Sequence, residues 1–173
     1  MTFASANIHQ YDEIIALYEA TIAALARDGI EIYWDLDFHP SRAFLRRAIE
    51  DGTLYIAELD GRVVGAMVVD TNQRPEYGRI AWRCPAKEDE VAVMHVLAIS
   101  PDCRRGGVAS FMLTKVKELC RSRGIRSIRL DALTCNAPAC RLYRREGFSV
   151  TYAGPILIPE VGVKDFEVFE YVV

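Results

Sequence analysis

The sequence predicts a mixed α/β layer built around one strand-helix-strand unit. Three observations carry that reading. The run "VAVMHVLAI" (Val91 to Ile99) is β-branched and almost unbroken in its apolarity, as expected of a strand buried on both faces. It feeds through "SPDCRRGG" into a helical pattern starting near Gly107, and strand and helix patterns alternate on both sides of it. At 173 residues, 51% of them hydrophobic, the chain suits one domain spanning 1–173 with a sizeable core. No repeat, low-complexity tract or long linker divides it.

From the N-terminus, "TFASA" (Thr2 to Ala6) reads as a short strand. Asn7 and Gln10 have the spacing of a capping box, and Tyr11, Ile15, Tyr18, Ile22 and Leu25 recur at helical spacing until Asp28-Gly29 stops the helix. An aromatic, acidic loop leads to a second helix expected to start near Pro40, a residue suited to a first turn, and to close at Asp51-Gly52. "TLYIAEL", the turn Asp60-Gly61 and "RVVGAMVV" form a hairpin signature. A long polar loop from Asp70 to about Glu90 carries Tyr77 and Trp82; loops of that length in compact domains are usually functional or mobile.

After the central strand, the helix from about Gly107 to Arg123 places Val108, Met112 and Leu119 beside Ala109, Leu113, Val116 and Cys120, a broad stripe expected to be buried. Gly124 stops it, with Arg121 and Arg123 at the negative end of the dipole. "IRSIRLDAL" is a strand. Asn136 caps a helix with Pro138 in its first turn and Gly147 past its end, and "FSVTYAGPILIP" and "KDFEVFEYVV" supply two final strands. The order is β-α-α-β-β-β-α-β-α-β-β.

Composition narrows the function classes. No apolar run reaches the ~20 residues of a membrane span, and "MTFASANIHQYDE" lacks a basic segment followed by a hydrophobic one. Five cysteines form an odd set with no CxxC pair and no His spaced to complete a zinc site, so reduced thiols, a cytoplasmic setting and no metal are expected. Cys135 reads as a small residue near a strand end sooner than as a nucleophile, since no His adjoins it in sequence. The net charge of −3 hides an asymmetry: Pro101 to Arg145 holds eleven Lys/Arg against three Asp/Glu, an excess of +8, leaving −11 for the rest. That segment lacks the aromatic and zinc-finger patterns of nucleic-acid binders, and neither a nucleic-acid nor a membrane partner is expected.

The first N–H groups of a helix point outward without partners inside it, and the helix dipole favours an anion there. Gly106 and Gly107 permit turn angles and remove side chains that would keep a phosphate from the backbone; Arg104 and Arg105 add charged donors. The residues point to phosphate or pyrophosphate. Gly107 is followed by Val-Ala-Ser rather than Lys-Ser/Thr, and G-x-G-x-x-G is absent, so neither the Walker nor the dinucleotide loop is present.

"RRGGVA" fits the pattern R/Q-x-x-G-x-G/A, with Arg104, Gly107 and Ala109 in the diagnostic places. "HVLAISPD" precedes it, and "LDALTCNAPACRLYRREGF" follows, with Asn136, Leu142, Tyr143, Gly147 and Phe148 spaced as a second block. Over most of its length the chain thus resembles the GNAT superfamily of N-acetyltransferases. The resemblance to small bacterial members of unassigned substrate extends through "HPSRAFLRRAIEDGTLYIAELDGRVVGAMVV". It implies a mostly antiparallel sheet splayed between the fourth and fifth strands and flanked by helices. It also implies acetyl coenzyme A as co-substrate, with the backbone of Leu97, Ala98 and Ile99 along the pantetheine, Arg104 and the N–H groups of Arg105, Gly106, Gly107, Val108, Ala109 and Ser110 around the pyrophosphate, and Asn136 beside the pantetheine arm.

Direct transfer to an amine needs a neutral amine, a polarised thioester carbonyl and a proton for the departing thiolate. The Leu97 N–H is a candidate oxyanion donor. Tyr143 corresponds to the family's usual general acid, a phenol of pKa ~10 that is protonated at neutral pH. His95, two residues before Leu97 and on the same face by strand alternation, is the candidate base, with Glu90 its competitor. Trp34, Asp35, Asp37, Phe38, Tyr77 and Trp82 lie in regions that flank the acceptor cleft of similar proteins, where aromatics with carboxylates suit an alkylammonium group. The expected acceptor is a primary amine of a small molecule. The alternatives are a protein N-terminus or lysine, or a coenzyme A-binding regulatory module without turnover; a homodimer is compatible with each.

Overall fold

The computed structural model describes residues 1–159 and 161–173. Its elements are β1 (Thr2–Ser5), α1 (Tyr11–Arg27), α2 (Arg42–Glu50), β2 (Leu54–Leu59), β3 (Arg62–Asp70), β4 (Val91–Ile99), α3 (Val108–Ser122), β5 (Ser127–Leu133), α4 (Ala137–Arg145), β6 (Ser149–Ile158) and β7 (Gly162–Val172), the expected order. The strands follow β1-β2-β3-β4-β5-β7-β6 in the sheet. β4–β5 is parallel, while β1–β2, β2–β3, β5–β7 and β7–β6 are antiparallel, giving the mixed, mostly antiparallel sheet expected. The parallel ladder joins Val91 to Ser127, Ala92 to Ile128 and Val93 to Arg129, and β4 runs on beyond it to Ile99.

Local chemistry accounts for the boundaries. The Asn7 N–H donates to Gln10 Oε1 at 2.9 Å while Asn7 Oδ1 accepts from His9 N–H at 3.1 Å, so the capping box forms on a single 3-10 turn that runs into α1. The buried face of α1 is Ile14, Ile15, Leu17, Tyr18, Thr21 and Ala24; Tyr11, Ile22 and Leu25 lie at its half-buried rim, so the stripe is centred beside the one expected. α2 starts two residues later than Pro40 suggested. Ser41 takes the N-cap, its hydroxyl accepting from Phe44 N–H at 3.0 Å, which leaves Pro40 in the preceding loop. A bulge at Ala57/Glu58 shifts the register of the β2–β3 hairpin.

Two compact units divide the chain, one comprising Met1–Val69 and His95–Lys115, the other Asp70–Met94 and Val116–Val173. In the first, α1 and α2 bury Ile14, Leu17, Tyr18, Leu45 and Ile49 with Leu54, Ile56, Ala66, Val68 and Ala98 from the strands. Alternation sends the neighbouring residues of β3 to the opposite face. There Gly65 admits α3: a Cβ at Gly65 would lie 2.5 Å from Met112 Sδ, 3.1 Å from Ile99 Cδ1 and 3.2 Å from Val108 Cγ1. The helix that follows the basic turn is therefore seated on β3 by a missing side chain.

In the second unit, α4 packs Tyr143 against Phe148 and Phe169, with ring centroids 5.9 and 5.5 Å apart. The long β6–β7 hairpin carries Pro155 opposite Asp165 in β6, the last strand of the order. The loop between β3 and β4, expected as one irregular stretch, contains two 3-10 turns, Pro75–Arg79 and Glu88–Glu90.

Gly65→Val should lower stability by about 1–3 kcal/mol, because the added carbons overpack the α3 seat. Denaturant unfolding checks this as a lower midpoint at an unchanged slope.

Candidate active site

The central strand is not regular. Val96 has φ +50°, a left-handed conformation that a β-branched residue rarely adopts and that costs on the order of 1–3 kcal/mol. It lies between His95 and Leu97, so the alternation that would put those two side chains on one face does not carry through it. The Val96 carbonyl accepts the Tyr18 hydroxyl at 2.8 Å, and the Ile99 carbonyl accepts the Thr21 hydroxyl at 3.3 Å. His95, Leu97 and Ile99 are half-buried and Ala98 is buried.

β4 ends where Ser100 N–H donates to Val64 O at 2.9 Å, and a 3-10 turn, Pro101–Cys103, follows. Arg105 (φ +66°) and Gly107 (φ +79°) then take left-handed angles, the alternation from which a backbone anion nest is made. A Cβ at Gly106 would meet the Cys103 carbonyl oxygen at 3.0 Å, whereas one at Gly107 would meet nothing within 4 Å. A side chain at the first position would press against the turn's own carbonyl. The second opens onto the space in front of α3, whose first internal bond here is Phe111 N–H to Gly107 O at 2.9 Å. Arg105, Gly106 and Gly107 are exposed, Val108 is buried, and Ala109 and Ser110 are half-buried in the first turn. The turn fits a pyrophosphate: backbone donors at a helix start, a dipole of the right sign, and no side chain in the way. Arg104, expected on the anion, forms an ion pair with Asp28 at 2.5 Å, next to the C-terminus of α1.

Asn136 and Tyr143 belong to the second unit. Asn136 caps α4, its side chain accepting from Ala139 N–H at 3.4 Å. Tyr143 is buried on that helix; burial first, then the neighbouring Asp131 and Cys140, push its hydroxyl above the ordinary phenol range. It is a neutral donor throughout the physiological range. Glu90 is a weaker base than its position suggested. Its carboxylate accepts Lys87 N–H at 2.9 Å and lies 3.5 Å from Arg126, and that backbone bond, aided by Arg126 and Lys87, lowers its pKa.

The aromatic and acidic residues expected at an acceptor cleft divide by role. Trp34 packs against Tyr18 with centroids 5.7 Å apart, and Asp35 closes a small loop by bonding to His39, its N–H donating to the His39 carbonyl at 2.7 Å. Asp37 and Phe38 are exposed in that loop. Tyr77 and Trp82 are committed to the 70–90 loop. The Tyr77 hydroxyl donates to Asp131 at 2.8 Å, the Trp82 indole N–H to Tyr77 O at 3.0 Å, and the Trp82 ring lies 3.9 Å from the Arg129 guanidinium.

Sequence reading missed what holds that loop. Glu170, fully buried on β7, accepts from Arg83 N–H at 2.7 Å, Cys84 N–H at 3.4 Å and the Ser127 hydroxyl at 2.6 Å, with Arg129 at 3.9 Å. Asp131 binds Arg74 at 3.0 Å, and Arg129 reaches Gln73 at 2.6 Å. An open pocket of about 460 Å³ lies among Gln73, Arg74, Tyr77, Trp82, Cys84 and Arg129. A carboxylate inside "FEVFEYVV" was the available signal, since a charge on a buried strand needs partners.

Burial raises the Cys120 and Cys140 thiols to about 11, which keeps them protonated at neutral pH; Cys135 is exposed just ahead of Asn136. Among the described residues no group of three or more His, Cys, Asp or Glu comes together to hold a metal ion. No helix among them is long and apolar enough to cross a membrane.

Residues 22–148 match the model of the acetyltransferase (GNAT) family, and the chain belongs to that family. An uncharacterized N-acetyltransferase of Methanocaldococcus jannaschii is 26% identical over 145 residues, covering 74% of this chain and 60% of the relative. An L-amino acid N-acetyltransferase of Escherichia coli K12 is 27% identical over 100 residues, 57% of this chain and 54% of the relative. The chain thus spans little more than half the length of these curated relatives. Among solved structures, a GNAT-family acetyltransferase of Streptococcus agalactiae superposes with a TM-score of 0.81 at 20% identity, covering 99% of this chain and 95% of that one. A Salmonella typhimurium protein solved with its cofactor acetyl-CoA gives 0.67 at 18% identity, covering 99% and 92%. At these identities the two structures share the fold.

Glu170→Ala should cost about 3–5 kcal/mol, because it strands the Arg129 guanidinium and two loop N–H groups without their buried acceptor. Limited trypsin digestion is expected to cut first at Arg74, Arg79 or Arg83, and thermal unfolding should shift downward.

Proposed function

We propose that the chain is a single acetyl-CoA-dependent N-acetyltransferase domain that moves an acetyl group directly to a primary amine of a small molecule, in the cytoplasm. The observation that carries the reading is the β4–turn–α3 unit: the left-handed pair Arg105 and Gly107 at a helix start, directly after a strand whose backbone is turned out of line at Val96. Coenzyme A brings a pyrophosphate for the first feature and an amide-bearing pantetheine for the second. An E. coli relative named for L-amino acid acetylation, and a Salmonella neighbour solved with acetyl-CoA, support the donor and the amine class.

The N–H groups of Arg105 to Ser110 hold the pyrophosphate, with the Arg105 and Arg104 guanidinium groups adding charge; Arg104 exchanges or shares its Asp28 pair in doing so. Leu97, Ala98 and Ile99 bind the pantetheine through their main chain, with Asn136 beside the arm. Acetyl-CoA supplies the thioester that is to be opened. The Leu97 N–H is a fixed donor for charge developing on an oxygen, which need not reorganise as that charge grows. Tyr143 gives its proton to the departing sulfur, and its raised pKa keeps that proton in place until sulfur becomes anionic. His95 takes the amine proton directly or through water. Holding both substrates together removes up to roughly 7–11 kcal/mol of the barrier in the best cases.

Variants at two positions test the reading. Gly107→Glu projects a carboxylate into the open space before α3 and should weaken coenzyme A binding at least about a hundredfold, whereas Gly107→Ala, with the same backbone strain and no charge, should weaken it far less. Equal affinities for the two in calorimetry would exclude the turn as the pyrophosphate site. Tyr143→Phe should lower kcat for thiol release about a hundredfold with the affinity for acetyl-CoA unchanged. Release of thiol with small amines but no labelling of proteins by isotopic acetyl-CoA is the expected acceptor result; labelled proteins would move the assignment to a protein acceptor.

A further inference from the structure

We infer that α1 positions the donor-binding backbone of β4, with the Tyr18 hydroxyl as the principal hold and the Thr21 hydroxyl as a second, weaker one. The inference rests on the proposal that Leu97 and Ala98 bind the pantetheine. Tyr18 and Thr21 are three apart on α1 and so share a helix face. The carbonyls they reach, Val96 at 2.8 Å and Ile99 at 3.3 Å, are also three apart, and bracket Leu97 and Ala98. Both side chains are buried, Tyr18 completely. A hydroxyl carries one proton, and Thr21 shares its own with the Leu17 carbonyl at 2.8 Å, which is why its hold on Ile99 is the lesser.

Packing alone does not explain a tyrosine at 18. The ring lies in an apolar core beside Trp34, where phenylalanine would fill the same volume without bringing a hydroxyl that must find a partner. The partner it finds is the carbonyl of the residue with φ +50°, the strained point of the strand. A hydrogen bond there favours the turned-out backbone over the extended form that valine prefers. The next N–H in the chain is that of Leu97, whose direction follows from the Val96 torsions. Tyr18 is therefore a positioning residue, acting on the ligand through Val96.

Glycine adopts φ +50° without strain, so a glycine at 96 should remove the need for the hydroxyl. The test is a double-mutant cycle read on two signals: the amide resonances of Leu97 and Ala98 in the protein without ligand, and the dissociation constant of coenzyme A by calorimetry. Tyr18→Phe should displace or broaden both resonances while leaving Leu45 on α2 in place, and should weaken coenzyme A about tenfold. Adding Val96→Gly should return the affinity to within about threefold of wild type. Thr21→Val, which leaves Tyr18 intact, should displace the Ala98 resonance by less. Unchanged resonances and affinity in Tyr18→Phe, or a loss that Val96→Gly does not repair, would overturn the inference and leave Tyr18 a core residue. If wild-type protein binds no coenzyme A, the proposed function fails, and the resonances still decide whether α1 holds the strand.

Discussion

At the middle of β4 the backbone leaves the extended form at a residue type that resists doing so, and much of the first unit is arranged around that departure. A strand satisfies its peptide groups through its neighbours, but the parallel ladder on β4 reaches only Val93. Farther along, the carbonyls of Val96 and Ile99 are met by hydroxyls from a helix, and the Ser100 N–H by the Val64 carbonyl. The apolar face of α1 accordingly carries Tyr18 and Thr21 among Ile14, Leu17 and Ala24. Those two polar atoms are buried at little cost because each has a partner. On the other face of the same strands, Gly65 sets how closely α3 approaches, and α3 begins at the turn whose torsions gather N–H groups toward one point.

The second unit solves a different problem, that of fixing a long polar loop. Burying Arg129 and Glu170 together is costly in desolvation, and burial is the first cause of the lowered Arg129 pKa, with Glu170 pulling it back. What the pair achieves is placement. One carboxylate gathers two loop N–H groups, a serine and an arginine, and a second, Asp131, gathers Tyr77 and Arg74. Several charges of the basic segment are thus neutralised internally, including Arg126 by Glu90 and Arg144 by Glu167. The excess of +8 between Pro101 and Arg145 overstates the field available to a ligand.

Features set by neighbours in sequence were legible there. The capping box at Asn7, the hairpin turn at Asp60-Gly61 and the glycine stops all act over a few residues, and each forms as read; "RRGGVA" likewise makes a turn into a helix, although Arg104 is paired with Asp28. Pro40 misled by position, since Ser41 was one residue better placed to cap. Features set by distant partners were not legible. The alternation argument for His95 and Leu97 assumed extended torsions at Val96, and nothing within "HVLAI" announces the left-handed angle that Tyr18, 78 residues away, helps to hold. The same limit hid the bond from Arg83 to Glu170, 87 residues apart, which ties the long polar loop to β7.

Pro155 has a consequence for the molecule's behaviour in a crowded solution. It stands in β6, the terminal strand of the sheet order, where a free row of peptide groups would invite a further strand from another chain. A proline there deletes one donor from that row and stiffens the chain around it. The hairpin can thus expose Leu157 and Val163 near its tip while its edge remains a poor template for fibrous growth.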